Sequence, residues 1–297
     1  MSNGITPNLK ELIALKYYAS DLLFFSNKKV NLGGQGNNLS IAKGRGVDFD
    51  EVRKYQAGDD IRLIHWPMTA RLGKPFTKIY KEERERNIYL LIDQSNAMQF
   101  GTKVCFKNVL AAKLAAIFGW AALNNHEQLG GIIFNDTHAE LIKPSRNRKS
   151  LLAIFNVLIN NKLKNFTGNI NNVLKLLYHH ASSGSIIIVL SDFSHLNEDG
   201  IKILKLLAMK CDIHNLFLFD QLEEHLPQTG YYSFANTDNQ SIEIGTQKKD
   251  QLIYTENFNA KVKFIKDLSL KNQMKFLSIK TNDNLIDKLN GISKNGK

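Results

Sequence analysis

The sequence predicts an α/β fold: a doubly wound, mostly parallel sheet with helices on both faces, preceded by a small module of one helix and short strands. Three observations carry that expectation. Short apolar runs, NIYLLID at 87–93, SIIIVL at 185–190 and DIHNLFLF at 212–219, alternate with segments of helical length and period. Two of the runs lead into an acid, Asp93 and Asp192, which is how buried parallel strands read when only their carboxyl ends stay open. The longest nearly apolar stretch, Val109 to Leu123, is interrupted by Lys113 and falls short of the roughly 20 residues of a membrane span, so it reads as a helix buried in a core.

In chain order, Thr6 and Pro7 read as the N-cap and first residue of a helix reaching about Phe25, with Leu9, Leu12, Ile13, Leu15, Ala19, Leu22 and Leu23 on its apolar face. The Gly- and Asn-rich run NLGGQGNN at 31–38 is a loop. Residues 44–86 are too charged and turn-rich for a helical core, yet hold Val47, Phe49, Val52, Tyr55, Ile61, Ile64, Trp66, Phe76 and Ile79, which fits a small strand-containing module. After the 87–93 strand come the apolar helix from 103 to 123, a strand at 128–134 and an antiparallel partner at 138–142. Helices follow at 147–163 and 169–180, a strand at 185–190, a helix at 198–209 and a strand at 212–219. A hairpin at 231–244, a long helix at 249–272, a strand at 275–279 and a closing helix complete the chain. The expected organisation is thus 1–43 helix and loop, 44–86 charged module, 87–291 main α/β domain and 292–297 a frayed tail.

With 297 residues, 43% hydrophobic and 23% charged, the chain has ordinary globular composition. The amino terminus has no basic start followed by an apolar core and small-residue cleavage site, and the two cysteines, Cys105 and Cys211, have no metal-like spacing. A cytoplasmic protein with reduced thiols is expected. The net charge of +11 is uneven: no acid lies between Leu141 and Ser191, where Lys143, Arg146, Arg148, Lys149, Lys162, Lys164 and Lys175 cluster. Such a stretch suits an acidic partner or a phosphate backbone, or is simply a solvated face, and no nucleic-acid-binding motif accompanies it.

Asp93 and Ser95 can set a carboxylate and a hydroxyl side by side on one loop, which suits a hard divalent cation. The plainer use of Asp93 and Asp192 is to accept hydrogen bonds from loop amides at the strand ends. Arg53, Asp59, Asp60, Arg62 and Arg71 form a dense set of charges around Trp66, to be read either as ion pairs that brace the module or as a recognition surface. None of the eight histidines has ligand spacing, and no P-loop, nucleophile elbow or dinucleotide fingerprint occurs.

These residues carry a resemblance. DQSNA at 93–97, TGN at 167–169 and LSDF at 190–193 resemble the three loops of a von Willebrand factor A-like domain, a Rossmann-type fold whose metal-ion-dependent adhesion site takes Asp-x-Ser-x-Ser, a threonine and an aspartate from them. RKYQAGDDIRLIHWPMTAR at 53–71 resembles the signature preceding that domain in the bacterial domain of unknown function 58 family. The resemblance implies a cation site, Mg²⁺ or Mn²⁺, at Asp93, Ser95, Asn169 and Asp192. It departs from the pattern at Ala97, which has no side-chain oxygen, at Asn169, which replaces threonine, and at His65, which replaces an acid before Trp66. It also implies a non-enzymatic adaptor that partners a MoxR-type AAA+ ATPase in assembly or maturation of other complexes, with the basic stretch flanking the partner face. The competing classes are a metal-dependent hydrolase using Asp93 and Asp192, and nucleic-acid binding through the basic stretches.

Overall fold

The computed structural model describes residues 4–19, 47–82, 86–160, 163–226, 231–235, 241–245 and 248–294. The chain divides into two compact units, Lys28–Glu85 and Met1–Asn27 together with Arg86–Lys297. The expected loop at 31–38, the end of the first helix beyond residue 19, and 295–297 lie outside the described residues.

The smaller unit is an antiparallel pair, β1 (Val47–Lys54) and β2 (Phe76–Glu82), with the short helix α2 (Trp66–Leu72) in the connection. Proline at the first turn starts α2, and Gly73, at φ 66°, closes it in the left-handed conformation that glycine adopts without cost. His65 is its N-cap, with Nδ1 accepting from the Met68 amide at 3.1 Å, so the histidine that replaces the signature acid still supplies a capping acceptor.

The larger unit begins with α1 (Leu9–Ala14), whose N-cap is Asn8, accepting from Lys10 N at 2.9 Å. The expected start at Thr6 and Pro7 is therefore two residues early, because Asn8 offers the better-placed acceptor. The remaining elements are β3 (Asn87–Asp93), α3 (Lys107–Asn124), β4 (Gln128–Phe134), β5 (His138–Ser145), α4 (Arg148–Asn160), β6 (Phe166–Thr167), α5 (Ile170–His180), β7 (Ile186–Ser191), α6 (Glu198–Ala208) and β8 (Asp212–Phe219). They are followed by α7 (Gln221–Glu224), the hairpin β9 (Tyr231–Ala235) with β10 (Ser241–Gly245), α8 (Lys248–Lys271), β11 (Lys275–Lys280) and α9 (Leu285–Lys294). The last helix runs past the residue where a frayed tail was expected.

Seven strands form one sheet in the order β11-β8-β7-β3-β4-β5-β6. The first five are parallel, while β5 runs antiparallel to β4 and β6 antiparallel to β5. Residues alternate across β3: Ile88, Leu90 and Ile92 enter a core with α1, α3 and α4, while Tyr89 and Leu91 enter a second core with α5, α6 and α8. Burial on both faces explains why β3 and β7 read as continuous apolar runs. Helix α3 is buried on nearly every side, and a Cβ at Gly119 would press on a Leu151 methyl at 2.5 Å, so glycine lets α3 and α4 approach closely. Trp120 Nε1 donates to Leu12 O at 3.1 Å and Lys113 pairs with Glu11 at 2.6 Å, tying α1 to α3.

From β3 the chain winds one way through β4 and, later, the other way through β7, β8 and β11. The crevice beyond the carboxyl ends of β3 and β7 is the topological switch point, where ligands of doubly wound sheets bind.

Candidate functional site

Three neighbouring parallel strands end at this edge in the same local device. Asp93 follows Ile92 at the end of β3, and its Oδ1 accepts the Ser95 amide at 2.9 Å. Asp192 follows β7, and its Oδ1 accepts the Ser194 amide at 2.9 Å. Asp220 follows β8, and its Oδ1 accepts the Leu222 amide at 2.9 Å. In each case a short acid bonds the amide two residues on and turns the chain out of the sheet.

The second oxygens differ. Asp93 Oδ2 accepts from Ser191 Oγ at 2.5 Å, and that hydroxyl accepts in turn from the Phe193 amide at 2.9 Å. Asp192 Oδ2 accepts from Lys107 Nζ at 2.8 Å, and the same ammonium donates to Glu223 Oε1 at 2.7 Å. Glu223 Oε2 accepts the Asp220 amide at 2.8 Å in a capping box at the start of α7. Asp220 also accepts from Thr102 and Thr281, so β3, α3, β7, α7 and β11 meet in one polar network.

The Lys107 side chain is 1% exposed. Burial alone would strip its charge, but Asp192 and Glu223 outweigh it and push the pKa up, so the group is an ammonium. Burial also pushes Asp192 up, and Lys107, followed by Lys261, more than offsets it, holding the carboxyl at about 2. Asp93 goes the other way: burial, then the Asp192 charge, raise it to about 6 against the hydrogen bonds from Ser191 and Ser95. Two acids in adjacent loops therefore carry opposite shifts, set by which one holds the lysine. Lys261 on α8 donates to Ser194 Oγ at 2.8 Å and lies over the Phe217 ring at 5.5 Å, with burial lowering its pKa.

The structure brings Asp93, Ser95 and Asp192 together and sets Asn169 on the neighbouring loop. There the Asn169 side-chain oxygen accepts from Asn171 N and Asn172 N at 3.0 and 3.1 Å, capping α5. Its backbone, at φ 62° and ψ 155°, lies where non-glycine residues are rarely found, at a cost of roughly 1–3 kcal/mol. Gly168 before it packs directly on Asn135 O, where a Cβ would collide. The Ser95 hydroxyl is buried beside the Asp93 carboxyl.

These donors fit a resident Mg²⁺ or Mn²⁺ poorly. Asn169 is committed to its own helix, Ala97 has no oxygen, and an ammonium already sits on Asp192. A divalent ion about 4 Å from that nitrogen would be repelled by roughly 8 kcal/mol at an effective dielectric constant near 20. Among the described residues no group of three His, Cys, Asp or Glu side chains is placed to hold a metal.

Around the buried acids stands an exposed rim of Asn96, Asp136, Thr137, Phe166, Ser194 and His195. The Asn96 amide donates to Asp136 Oδ2 at 2.9 Å, and His195 Nε2 lies 3.8 Å from Asp136 Oδ1. Lys164 precedes β6, and because Thr167 pairs with His138 and Phe166 with Ala139, the chain before β6 runs away from this end, so Lys164 does not join the rim. Lys143, Arg146, Arg148 and Lys149 do not flank the rim: Phe134 pairs with Ala139 but Leu129 pairs with Ser145, so the antiparallel β5 carries them to the opposite end of the sheet, about 17 Å away. Lys162 lies outside the described residues.

In the smaller unit Asp59 is the anchor. It takes Arg53 Nη2 at 2.6 Å, the Gln56 amide at 2.9 Å and Thr77 Oγ1 at 3.4 Å, and the Gln56 amide and Arg53 hold its pKa below the ordinary value. Asp60 caps the turn at Ile61–Leu63 by accepting Arg62 N at 2.9 Å. Arg62 and Arg71 are exposed, and Trp66 is 62% exposed with Ile61 at 63%, so these charges do not enclose the tryptophan.

A sequence model described as Protein of unknown function DUF58 matches residues 51–262, from the charged signature through all three strand-end acids into α8. The chain belongs to the DUF58 family. Uncharacterized proteins of Mycobacterium bovis and Mycobacterium tuberculosis are 35% identical to it over 100 residues, 34% of this chain and 32% of theirs. The match thus spans about a third of the length of those relatives. Among solved structures, the conserved hypothetical protein BatB from Bacteroides thetaiotaomicron aligns with this DUF58 chain at a TM-score of 0.44 and 14% identity, over 70% of this chain and 96% of that one.

Sequence reasoning missed Lys107, Ser191, Asp220, Glu223 and Lys261. Asp220 had the same signal as Asp93, an apolar strand running into an acid. Lys107 left only a faint one, a cation at the start of a helix otherwise apolar throughout.

Proposed function

We propose that this DUF58 chain is a non-enzymatic protein-binding adaptor. Its larger unit is of von Willebrand factor A-like type, its partner face is the rim beyond β3 and β7, and its partner is a MoxR-type AAA+ ATPase acting in assembly or maturation of other complexes. The observation that carries the reading is the internal commitment of the strand-end acids. Asp93 and Asp192 are buried and bonded to Ser95, Ser191, Ser194 and Lys107, so they shape and brace loops and present no reacting group to solvent. Hydrolysis needs a positioned base, nucleophile or metal pair, and recognition needs only rigid loops with a polar and apolar rim. The strand order, with its antiparallel edge at β5, supports the von Willebrand A-like reading. The ATPase as partner rests on the signature at Arg53–Arg71.

No helix among the described residues is long and apolar enough to cross a membrane, and Cys105 and Cys211 are buried free thiols, which suits the cytoplasmic setting included in the proposal.

The test is binding of the purified chain to a purified MoxR-type ATPase of the same organism by interferometry, with and without nucleotide. Truncating Phe166 and His195 together on the rim lowers affinity by roughly tenfold or more, because exposed aromatic anchors dominate such interfaces. No binding in any nucleotide state, joined with phosphatase or nuclease turnover that Asp93→Ala abolishes, overturns the reading in favour of a hydrolase. Binding of nucleic acid that falls steeply with salt overturns it in favour of the basic stretches.

A further inference from the structure

Lys107 is the first residue of the most deeply buried helix, and its ammonium lies between Asp192 and Glu223 at 2.8 and 2.7 Å with 1% of the side chain exposed. Lysine is among the residues least often found fully buried, and a cation there needs a reason of its own. The reason is the charge around it. Asp192 follows β7 and Glu223 stands on α7, and both converge on the Lys107 ammonium. Two carboxylates so placed at a buried edge collect a cation unless the chain provides one.

We propose that the Lys107 ammonium stands in the place of a divalent cation, so that this strand-end cluster is a lysine-filled version of a metal site, assembled and rigid without any metal. A covalently tethered ammonium is always present, whatever the magnesium supply. Its hydrogen bonds fix the loop after β7 through Asp192 and the start of α7 through Glu223, which is the bracing a coordinated ion would give. The inference concerns the same cluster as the adaptor reading but does not rest on it, and its test involves no partner, so the two fail separately.

The test compares the wild-type chain with Lys107→Ala, which removes the ammonium and opens room for a hydrated ion between Asp192 and Glu223. Mn²⁺ alone is titrated into each, with binding read by electron paramagnetic resonance and stability by thermal unfolding. The wild-type protein takes up no stoichiometric Mn²⁺, and its Tm is the same in millimolar Mg²⁺, millimolar Mn²⁺ and chelator. Lys107→Ala unfolds at lower temperature, binds Mn²⁺ roughly tenfold or more tightly than wild type, and recovers part of its Tm as the ion is added, as linkage requires. Adding Asp192→Ala to the variant removes both the uptake and the recovery. Saturable Mn²⁺ uptake by the wild type, or a Tm that falls on chelation, overturns the proposal. So does a folded Lys107→Ala protein that binds no more Mn²⁺ than wild type. If Lys107→Ala does not fold even with Mn²⁺, the wild-type titration decides alone, indifference supporting the proposal and uptake refuting it.

Discussion

Replacing Lys107 with methionine keeps the stem of the side chain and removes its charge, which isolates the electrostatic part of the network. Its size follows from Asp192. The shift of that carboxyl from 3.8 to about 2 corresponds to roughly 2 kcal/mol of stability near neutral pH. Without the ammonium the shift is lost and burial acts on Asp192 against Lys261 alone, pushing the group toward the behaviour of Asp93 at about 6. The full swing of about four pKa units is worth roughly 5 kcal/mol, and Lys261 returns part of it, so the expected loss is about 3 kcal/mol, at the lower end of what breaking a buried pair costs. The pH dependence has a definite sign. In the wild type Asp192 is depressed, so its contribution is complete above 3.8 and lost as pH falls through about 2. In the variant its pKa is raised, so stability is greatest in acid and falls as pH rises through the raised value. The gap between the two proteins is therefore widest near pH 8 and narrows toward about pH 4.5. Urea unfolding at both values measures it. A gap under about 1 kcal/mol near pH 8, or one that does not change with pH, refutes the reasoning.

Asp93→Asn acts in the opposite direction: its pKa is raised to about 6, so the native state is penalised as pH rises through that value, and the amide removes the penalty. The variant is more stable than wild type near pH 8 by about 1–3 kcal/mol and gains nothing near pH 4, by the same urea assay. Gly168→Ala forces a Cβ against Asn135 O and distorts the turn into α5, costing roughly 1–3 kcal/mol and lowering the Tm, whereas an unchanged Tm would show that the loop yields freely. Trp66→Ala leaves unfolding stability within about 0.5 kcal/mol, because the side chain is 62% exposed, and a loss well above 1 kcal/mol would mean it braces the fold. Glu127→Ala removes the acceptor of three hydrogen bonds from Arg86, at 2.7, 2.8 and 3.0 Å, and lowers stability by roughly 2–4 kcal/mol, measured by thermal and urea unfolding.

The order of strands and helices was legible because both faces of the sheet are covered, which turns β3, β7 and β8 into apolar runs that no surface strand shows. The polar strand ends were legible for the same reason, since an acid directly after such a run has only the open edge to occupy. What local pattern could not show was pairing across long separations. Lys107 and Glu223 are 116 positions apart, and a lysine at a helix start reads as a side chain reaching for solvent until the partner that buries it is known. Asn169 illustrates a different limit: an amide oxygen can serve a cation or its own helix, and only the backbone at φ 62° shows the second use. The basic stretch was misplaced because charge was counted along the chain. Reversal of direction between β4 and β5 separates Lys143, Arg146, Arg148 and Lys149 from the rim.

That same β5 has a bearing on how the molecule behaves in a crowded solution. Its outer neighbour β6 is two residues long and pairs with His138 and Ala139, so among the described residues the rest of the outer border of β5 meets no further strand of this sheet. An open border of that length is a template on which another chain can add a strand. Here it carries Lys143 and then Pro144, a charge that resists stacking and a residue with no amide hydrogen to offer. Residues that look like a docking patch in a linear count are thus of the kind that disfavours strand addition at such a border.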